Sequence, residues 1–456
     1  MAEPTLLNFI SALAYMAKAN PLMLDMARQQ PTFAEIEQTV VALIANADSA
    51  SEALLAYEDL RGLIPDWKFV FASDTGQMPG FSVNRAFSDG SVVRSLFSKE
   101  RVLVLDEATH SEMLVNDKTT FPIDYSIALD TQVLSYLAPY LEGKTTRIPD
   151  DFHEIFAFIA QKNVFVDPIP YMTENLINVL NPKNVNDIRR RLNGYEMLRT
   201  IDEVHFNQTG EVRSTISQGE QNTRVDNTLN QMINGASNPE TLKAALHGHT
   251  WVYCLLLKMA TIQLRRPQPE FAAEKLAEFI EFMDLRLQTI FAREAIVAAE
   301  YFVRGQNNFG FFGRIQKGKP TNLAHLRNMA WDFWHIRNVE EATTNEQFQS
   351  DAPERRARYF FPSLLTCDKD FIEVIDLYSL KSYAYKKGTY RPIPFAETDW
   401  IAKVAGSKQA EHDFIQKYYS RTAIKRRDEM RIEVENNFDI IKRELEEEFC
   451  KVAQCA

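Results

Sequence analysis

Cysteine, positive charge and long apolar runs are all scarce in this chain. Its four cysteines, Cys254, Cys367, Cys450 and Cys455, form no CxxC pair. That excludes a disulfide framework or a zinc ribbon and points to a reducing compartment, so a cytoplasmic protein is expected. Lys and Arg number 51 against 62 Asp and Glu, a formal net charge of −11. A general nucleic-acid coat is thereby excluded, although a local basic rim or bound cations can offset the charge at one site. The most apolar internal run, residues 251–262, contains Lys258 and falls short of the ~20 residues that span a bilayer. The first residues carry Glu3 and no basic region. The apolar stretch 6–24 is interrupted by Asn8, Lys18, Asn20 and Pro21, so it reads as soluble helices rather than a signal peptide. No membrane partner is expected. No Ser-His-Asp motif, P-loop, GxGxxG loop or internal repeat is readable, which leaves the corresponding enzyme classes with little support.

What is present is an ordinary globular composition, 45% hydrophobic and 25% charged, in 456 residues. That length exceeds one usual core. Residues 6–60 read as helices, with a new start at Pro21 and a break at Pro31. Residues 67–72 and 102–105 read as short strands among turns, and Asp106 follows the second of them. Residues 126–129 form a strand candidate and 131–141 the helix after it. From 152 to 305 the pattern is mostly helical, with a short strand candidate at 164–166 and a polar loop at 207–221. Residues 270–303 carry a strong helical period, broken near Thr289. Residues 309–313 read as a flexible aromatic connection, 323–337 as a helix, 360–367 as a strand, and 408–449 as a charge-rich helix that could serve as an oligomerisation arm. An amphipathic helix follows the 360–367 strand, with Ile372, Val374, Ile375, Leu377 and Leu380 apolar.

The chemistry concentrates in carboxylates. The strand at 360–367 runs into Asp368 and Asp370, and the strand at 126–129 runs into Asp130. Strand C-termini are where open α/β sheets build their sites. Asp332 lies in the helix between them. Each has an ordinary explanation taken alone: Asp130 and the Asp368-Asp370 pair as helix caps, Asp332 as a salt-bridged helix residue. Together they are the hard oxygen donors that Mg²⁺ or Mn²⁺ prefers, and such an ion supplies both a nucleophilic water and charge stabilisation for phosphodiester cleavage.

Ile127-Ala128-Leu129-Asp130-Thr131 resembles the opening motif of PIN-domain nucleases. Leu364-Leu365-Thr366-Cys367-Asp368-Lys369-Asp370-Phe371 resembles their closing motif, and Ala330-Trp331-Asp332-Phe333 their Asp-bearing helix. The resemblance implies an α/β fold, a three-layer α/β/α PIN-like core with a mainly parallel sheet. It implies a Mg²⁺- or Mn²⁺-dependent nuclease that cuts RNA in preference to DNA. It also implies a glutamate on an earlier helix, for which Glu294 is the first choice and Glu300 the second. The expected organisation is an N-terminal helical region with short strands over 1–120, the core over 121–400 with a helical insertion at about 150–290, and a helical extension over 401–456.

The expected metal ligands are Asp130, Glu294, Asp332 and Asp368, with Asp370 as an added or alternative one. Asp368, at the strand end, is the stronger candidate, and Asp370 the candidate helix cap. Arg314, Lys317, Lys319, His335 and Arg337 are the candidate phosphate contacts, with a structural salt bridge the favoured alternative for His335 and Arg337, and the aromatics at 309–312 could stack on bases beside the loop cations. Asp106 is the rival acidic site. His247-Gly248-His249 reads as a turn or helix start rather than a metal pair. The basic clusters at 189–191 and 421–427 read as solvated faces. A toxin or anti-phage effector would suit such a nuclease, with a homo-oligomer or regulatory protein as partner. The competing expectation is a helical scaffold protein with a degenerate core.

Overall fold

A computed structural model describes residues 32–74, 84–116, 123–344, 359–389 and 391–454. The expected helices over 6–24, the features at Pro21 and Pro31, and Cys455 lie outside the described residues. The chain is mixed α/β, 64% helical, with two small sheets.

In chain order the elements are α1 (Phe33–Ala45), α2 (Ala50–Leu60), β1 (Trp67–Ser73), β2 (Asn84–Ala86), β3 (Val92–Ser95), β4 (Arg101–Leu105), α3 (Glu107–Asn116), β5 (Ile123–Leu129), α4 (Thr131–Leu141), α5 (Phe152–Ile159), β6 (Val166–Asp167), α6 (Ile169–Glu174), α7 (Pro182–Arg199), α8 (Glu203–Thr209), α9 (Gln218–Ser237), α10 (Pro239–Arg265), α11 (Ala272–Leu285), α12 (Ala292–Arg304), α13 (Asn322–Ala342), β7 (Tyr359–Thr366), α14 (Lys369–Asp376), β8 (Leu380–Lys386), β9 (Ile393–Ala396), α15 (Trp400–Ala405), α16 (Lys408–Tyr419) and α17 (Arg421–Ala453).

The central sheet has the order β2-β3-β7-β5-β6. Only β7-β5 and β5-β6 are parallel; β2-β3 and β3-β7 are antiparallel. The second sheet, β4-β1-β8-β9, is antiparallel throughout. The expectation of a mainly parallel sheet is therefore corrected: among the described residues, parallel pairing between whole strands is confined to β5, β6 and β7. The segments before residue 120 and after 359 share both sheets, through β3-β7 and β1-β8.

Strand β7 is buried along its whole length, as expected of a strand covered on both faces. Successive residues point to opposite faces. Ile127, Leu129 and Leu365 pack with α4, α5 and α7, while Ala128 and Leu364 join the core built by α10, α11, α13 and α17. Pro362 lacks a ladder donor. It is tolerated because β3 pairs only with residues 363–366, leaving that edge open beside it.

Several local expectations shift. The helix after β7 stops at Asp376, and Leu380 opens β8 instead of extending it. His247-Gly248-His249 lies in the middle of α10, not at its start. Gly248 is there because α13 presses against it: a Cβ would meet Trp334 Cη2 at 2.0 Å. The aromatics Phe309, Phe311 and Phe312 are core residues, with Phe312 stacked 3.8 Å from the Tyr301 ring. They are not available to stack on bases. The apolar stripe of α17, from Val434 through Phe438, Ile441, Leu445 and Phe449 to Ala453, is buried against this same core. Among the described residues no helix is long and apolar enough to cross a membrane.

Candidate functional site

The parallel register pairs Leu129 with Leu365, so β5 and β7 end side by side and the next residues, Asp130 and Thr366, meet. Asp130 N–H donates to Leu365 O at 3.0 Å. The fully buried Thr366 hydroxyl donates to Asp130 Oδ2 at 2.7 Å and accepts the Asp368 N–H at 3.1 Å. The threonine two residues before Asp368 thus ties the two strand-end carboxylates into one backbone-anchored chain.

The cap reading divides between them. Asp130 occupies the N-cap position of α4 without making a side-chain cap bond; its carboxylate turns to Thr366 instead. Asp368 does cap α14, its Oδ1 accepting from Asp370 N at 3.0 Å and Phe371 N at 3.2 Å. The expectation that Asp370 is the cap is corrected. Asp370 sits in the first turn over Gly310, where a Cβ on that glycine would meet its Oδ1 at 2.1 Å.

Asp332 projects from α13, and its carboxyl group lies deep among protein atoms although the residue keeps some exposed surface. Burial, then the charges of Asp130, Asp368 and Glu174, push it well above the usual carboxylate range, and Arg314 opposes them. Burial likewise raises the Asp130 carboxyl; His335 and the Thr366 hydroxyl pull it down, Glu174 and Asp368 push it up. Asp130, Asp332 and Asp368, from two strand ends and a helix, are therefore brought into one electrostatic cluster.

The fourth member is Glu174, which the sequence reading missed. It ends α6, the one-and-a-half-turn helix after β6, and accepts the Thr131 hydroxyl at 2.6 Å. Burial raises its carboxyl, but contact with His335 and Thr131 outweighs this and holds it below the usual range. Glu294 is elsewhere. It is fully buried and bound to Arg337 at 2.5 Å, beside a second core pair, Arg293–Glu340. Glu300 is held by Lys403 at 3.0 Å. The glutamate assignment is corrected, and Arg337 leaves the phosphate contacts with it.

Of the remaining basic candidates, Arg314 is exposed and acts on Asp332, while Lys317 and Lys319 are exposed on the loop that follows. His335 is 1% exposed, so it faces the cluster and not a solvent-borne phosphate. Its Nε2 lies 3.8 Å from Glu174 Oε2. Tyr136, also missed, borders the cluster: burial, then Cys367, Asp130 and Asp368, raise its hydroxyl. Burial pushes the Cys367 thiol up to about 12, which makes it inert. The rival Asp106 is engaged structurally, accepting Thr109 N–H and the Tyr359 hydroxyl. The clusters at 189–191 and 426–427 are neutralised by Asp226, Glu142, Asp187 and Asp284.

Asp130, Asp332, Asp368 and Glu174 are hard oxygen donors of like charge, a donor set that suits Mg²⁺ or Mn²⁺. Among the described residues, no three His, Cys, Asp or Glu side chains stand close enough to hold one ion as they are placed. Comparison with protein-family models, curated proteins and solved structures finds no match to this chain.

Proposed function

We propose that the chain is a divalent-metal-dependent nuclease built on a PIN-like three-layer core, cutting RNA in preference to DNA. The observation that carries the reading is the electrostatic cluster of Asp130, Asp332, Asp368 and Glu174 at the C-terminal ends of parallel strands. Three of these residues stand in the motifs that resemble the PIN family, and Glu174 supplies the helix glutamate that the resemblance calls for. The preference for RNA rests on that resemblance.

Asp130, Asp332, Asp368 and Glu174 would hold one or two Mg²⁺ or Mn²⁺ ions. When bound, such an ion activates water and stabilises charge on the phosphate and the leaving oxygen. The protein's own part is positional. Thr366 fixes Asp130, the cap bonds to Oδ1 fix Asp368 and leave its Oδ2 for the site, and Thr131 orients Glu174. The exposed guanidinium of Arg314, beside Asp332, suits a phosphate contact at the rim.

Labelled RNA and DNA incubated with Mn²⁺, Mg²⁺ or EDTA test the reading. Metal-dependent RNA cleavage that disappears in Asp130→Asn and in Asp368→Asn is expected. Undiminished cleavage in both variants removes the site assignment. Complete inactivity of the wild type with every metal leaves the helical scaffold as the better reading.

A further inference from the structure

We propose that the site is a mixed oxygen–nitrogen metal site in which the His335 imidazole joins the carboxylates as a ligand and selects Mn²⁺ or a later first-row divalent ion over Mg²⁺. This rests on the metal-site reading above for the presence of an ion.

Asp332 and His335 stand three residues apart on α13, so they share one helix face. His335 is 1% exposed, and neither ring nitrogen has a hydrogen-bond partner among the described residues. Buried polar groups are ordinarily satisfied, and a histidine ring left without partners is costly unless something else engages it. Its nearest charged neighbour, Glu174 Oε2, lies 3.8 Å from Nε2, beyond hydrogen-bond length. The ring is also held in place. It lies at 24° to the Trp331 ring with centroids 6.1 Å apart, and Trp331 stacks on His249 at 4.1 Å. His249 is engaged differently, with Nε2 3.0 Å from Arg327 O. A ring fixed in orientation, with neither nitrogen hydrogen-bonded among the described residues and with Nε2 toward Glu174 of the acidic cluster, is what a nitrogen ligand requires. Mg²⁺ demands oxygen donors in near-ideal octahedral geometry, whereas imidazole suits transition ions. The nitrogen therefore sets the selectivity that four carboxylates alone would not.

The test is electron spin-echo envelope modulation on the full chain loaded with Mn²⁺, with Mn²⁺/Mg²⁺ competition followed by the free-Mn²⁺ signal. We expect ¹⁴N modulation from a bound imidazole in the wild type and in His249→Gln, and its loss in His335→Gln. Mn²⁺ should bind at least about tenfold more tightly than Mg²⁺ in the wild type, and within about threefold in His335→Gln. Mn²⁺ binding that needs Asp368 but shows no ¹⁴N modulation overturns the nitrogen ligand and leaves His335 as the ionic partner of Glu174. Modulation that survives His335→Gln overturns it equally. Should wild-type protein bind no Mn²⁺ at all, the metal-site reading falls as well. The wild-type and His249→Gln spectra decide the matter even if His335→Gln does not fold.

Discussion

Asp332→Asn should stabilise the metal-free protein while destroying its activity. The Asp332 carboxyl is held well above its usual range by burial and by the charges of Asp130, Asp368 and Glu174. A carboxyl raised in this way is an acid whose charged form folding penalises. Below the ordinary value of 3.8 the group is neutral in both folded and unfolded chains and carries no penalty. The penalty sets in as pH rises through that value and grows until the folded carboxyl itself ionises. The neutral amide carries no such penalty and should therefore be the more stable form at pH 7. With an unfolding entropy of about 2.1 cal/mol/K per residue, each ~1 kcal/mol recovered raises Tm by roughly 1 °C in a chain of this length. Differential scanning calorimetry in EDTA at pH 7 and again near pH 3 measures it: the variant should melt higher at pH 7, and the difference should close near pH 3, below the ordinary carboxyl value of 3.8. Added Mn²⁺ should raise the melting temperature of the wild type and do much less for the variant, because a cation relieves the repulsion that the amide has already removed. A variant that melts lower than the wild type at pH 7 in EDTA would refute the like-charge reasoning.

Thr366→Val keeps the shape of the buried side chain but deprives Asp130 of its donor and the Asp368 N–H of its acceptor. It should cost roughly 2–3 kcal/mol in chemical denaturation and lower cleavage by about 10–100-fold through misplacement of the ligands. Glu294→Gln leaves Arg337 without its buried counter-charge and should cost about 3–5 kcal/mol. Its Mn²⁺ affinity by calorimetric titration should match the wild type, and a tenfold weakening would return Glu294 to the site. Gly248→Ala drives a Cβ into Trp334; a loss of about 1–3 kcal/mol and a changed tryptophan emission are expected, and an unaltered melting curve would contradict the close approach of α10 and α13.

The strand ends were legible because β5 and β7 are apolar runs that stop at aspartate, a signal contained in a few adjacent residues. Thr366 and Asp130 needed only the parallel register to meet. Glu174 carries no such signal. It ends a six-residue helix containing Pro170, and its position depends on β6, which is two residues long and exists through its pairing with β5. Glu294 attracted the glutamate assignment because α12 is strongly amphipathic, but the buried stripe of that helix also carries Arg293 and Glu294, and both charges are satisfied from α13. The aromatics at 309–312 looked like a loop because Gly310 interrupts them and Gly313 follows, yet burial of the rings makes them core. The second sheet was hidden for a different reason. Strands β1 and β8 find each other across roughly three hundred residues, and no local pattern reports such a pairing.

That long-range pairing has a consequence for how the acidic cluster comes into being during synthesis. Asp130 and Glu174 leave the ribosome early, but Thr366, Asp368 and the strand that aligns them emerge some two hundred residues later. Domains form as units once their contacts are available, and β3 and β5 lack the strand that joins them until β7 arrives. A nascent chain interrupted anywhere before residue 359 lacks Asp368 and the strand that sets it beside Asp130. The fold therefore delays the assembly of a complete acidic site until most of the protein has been made.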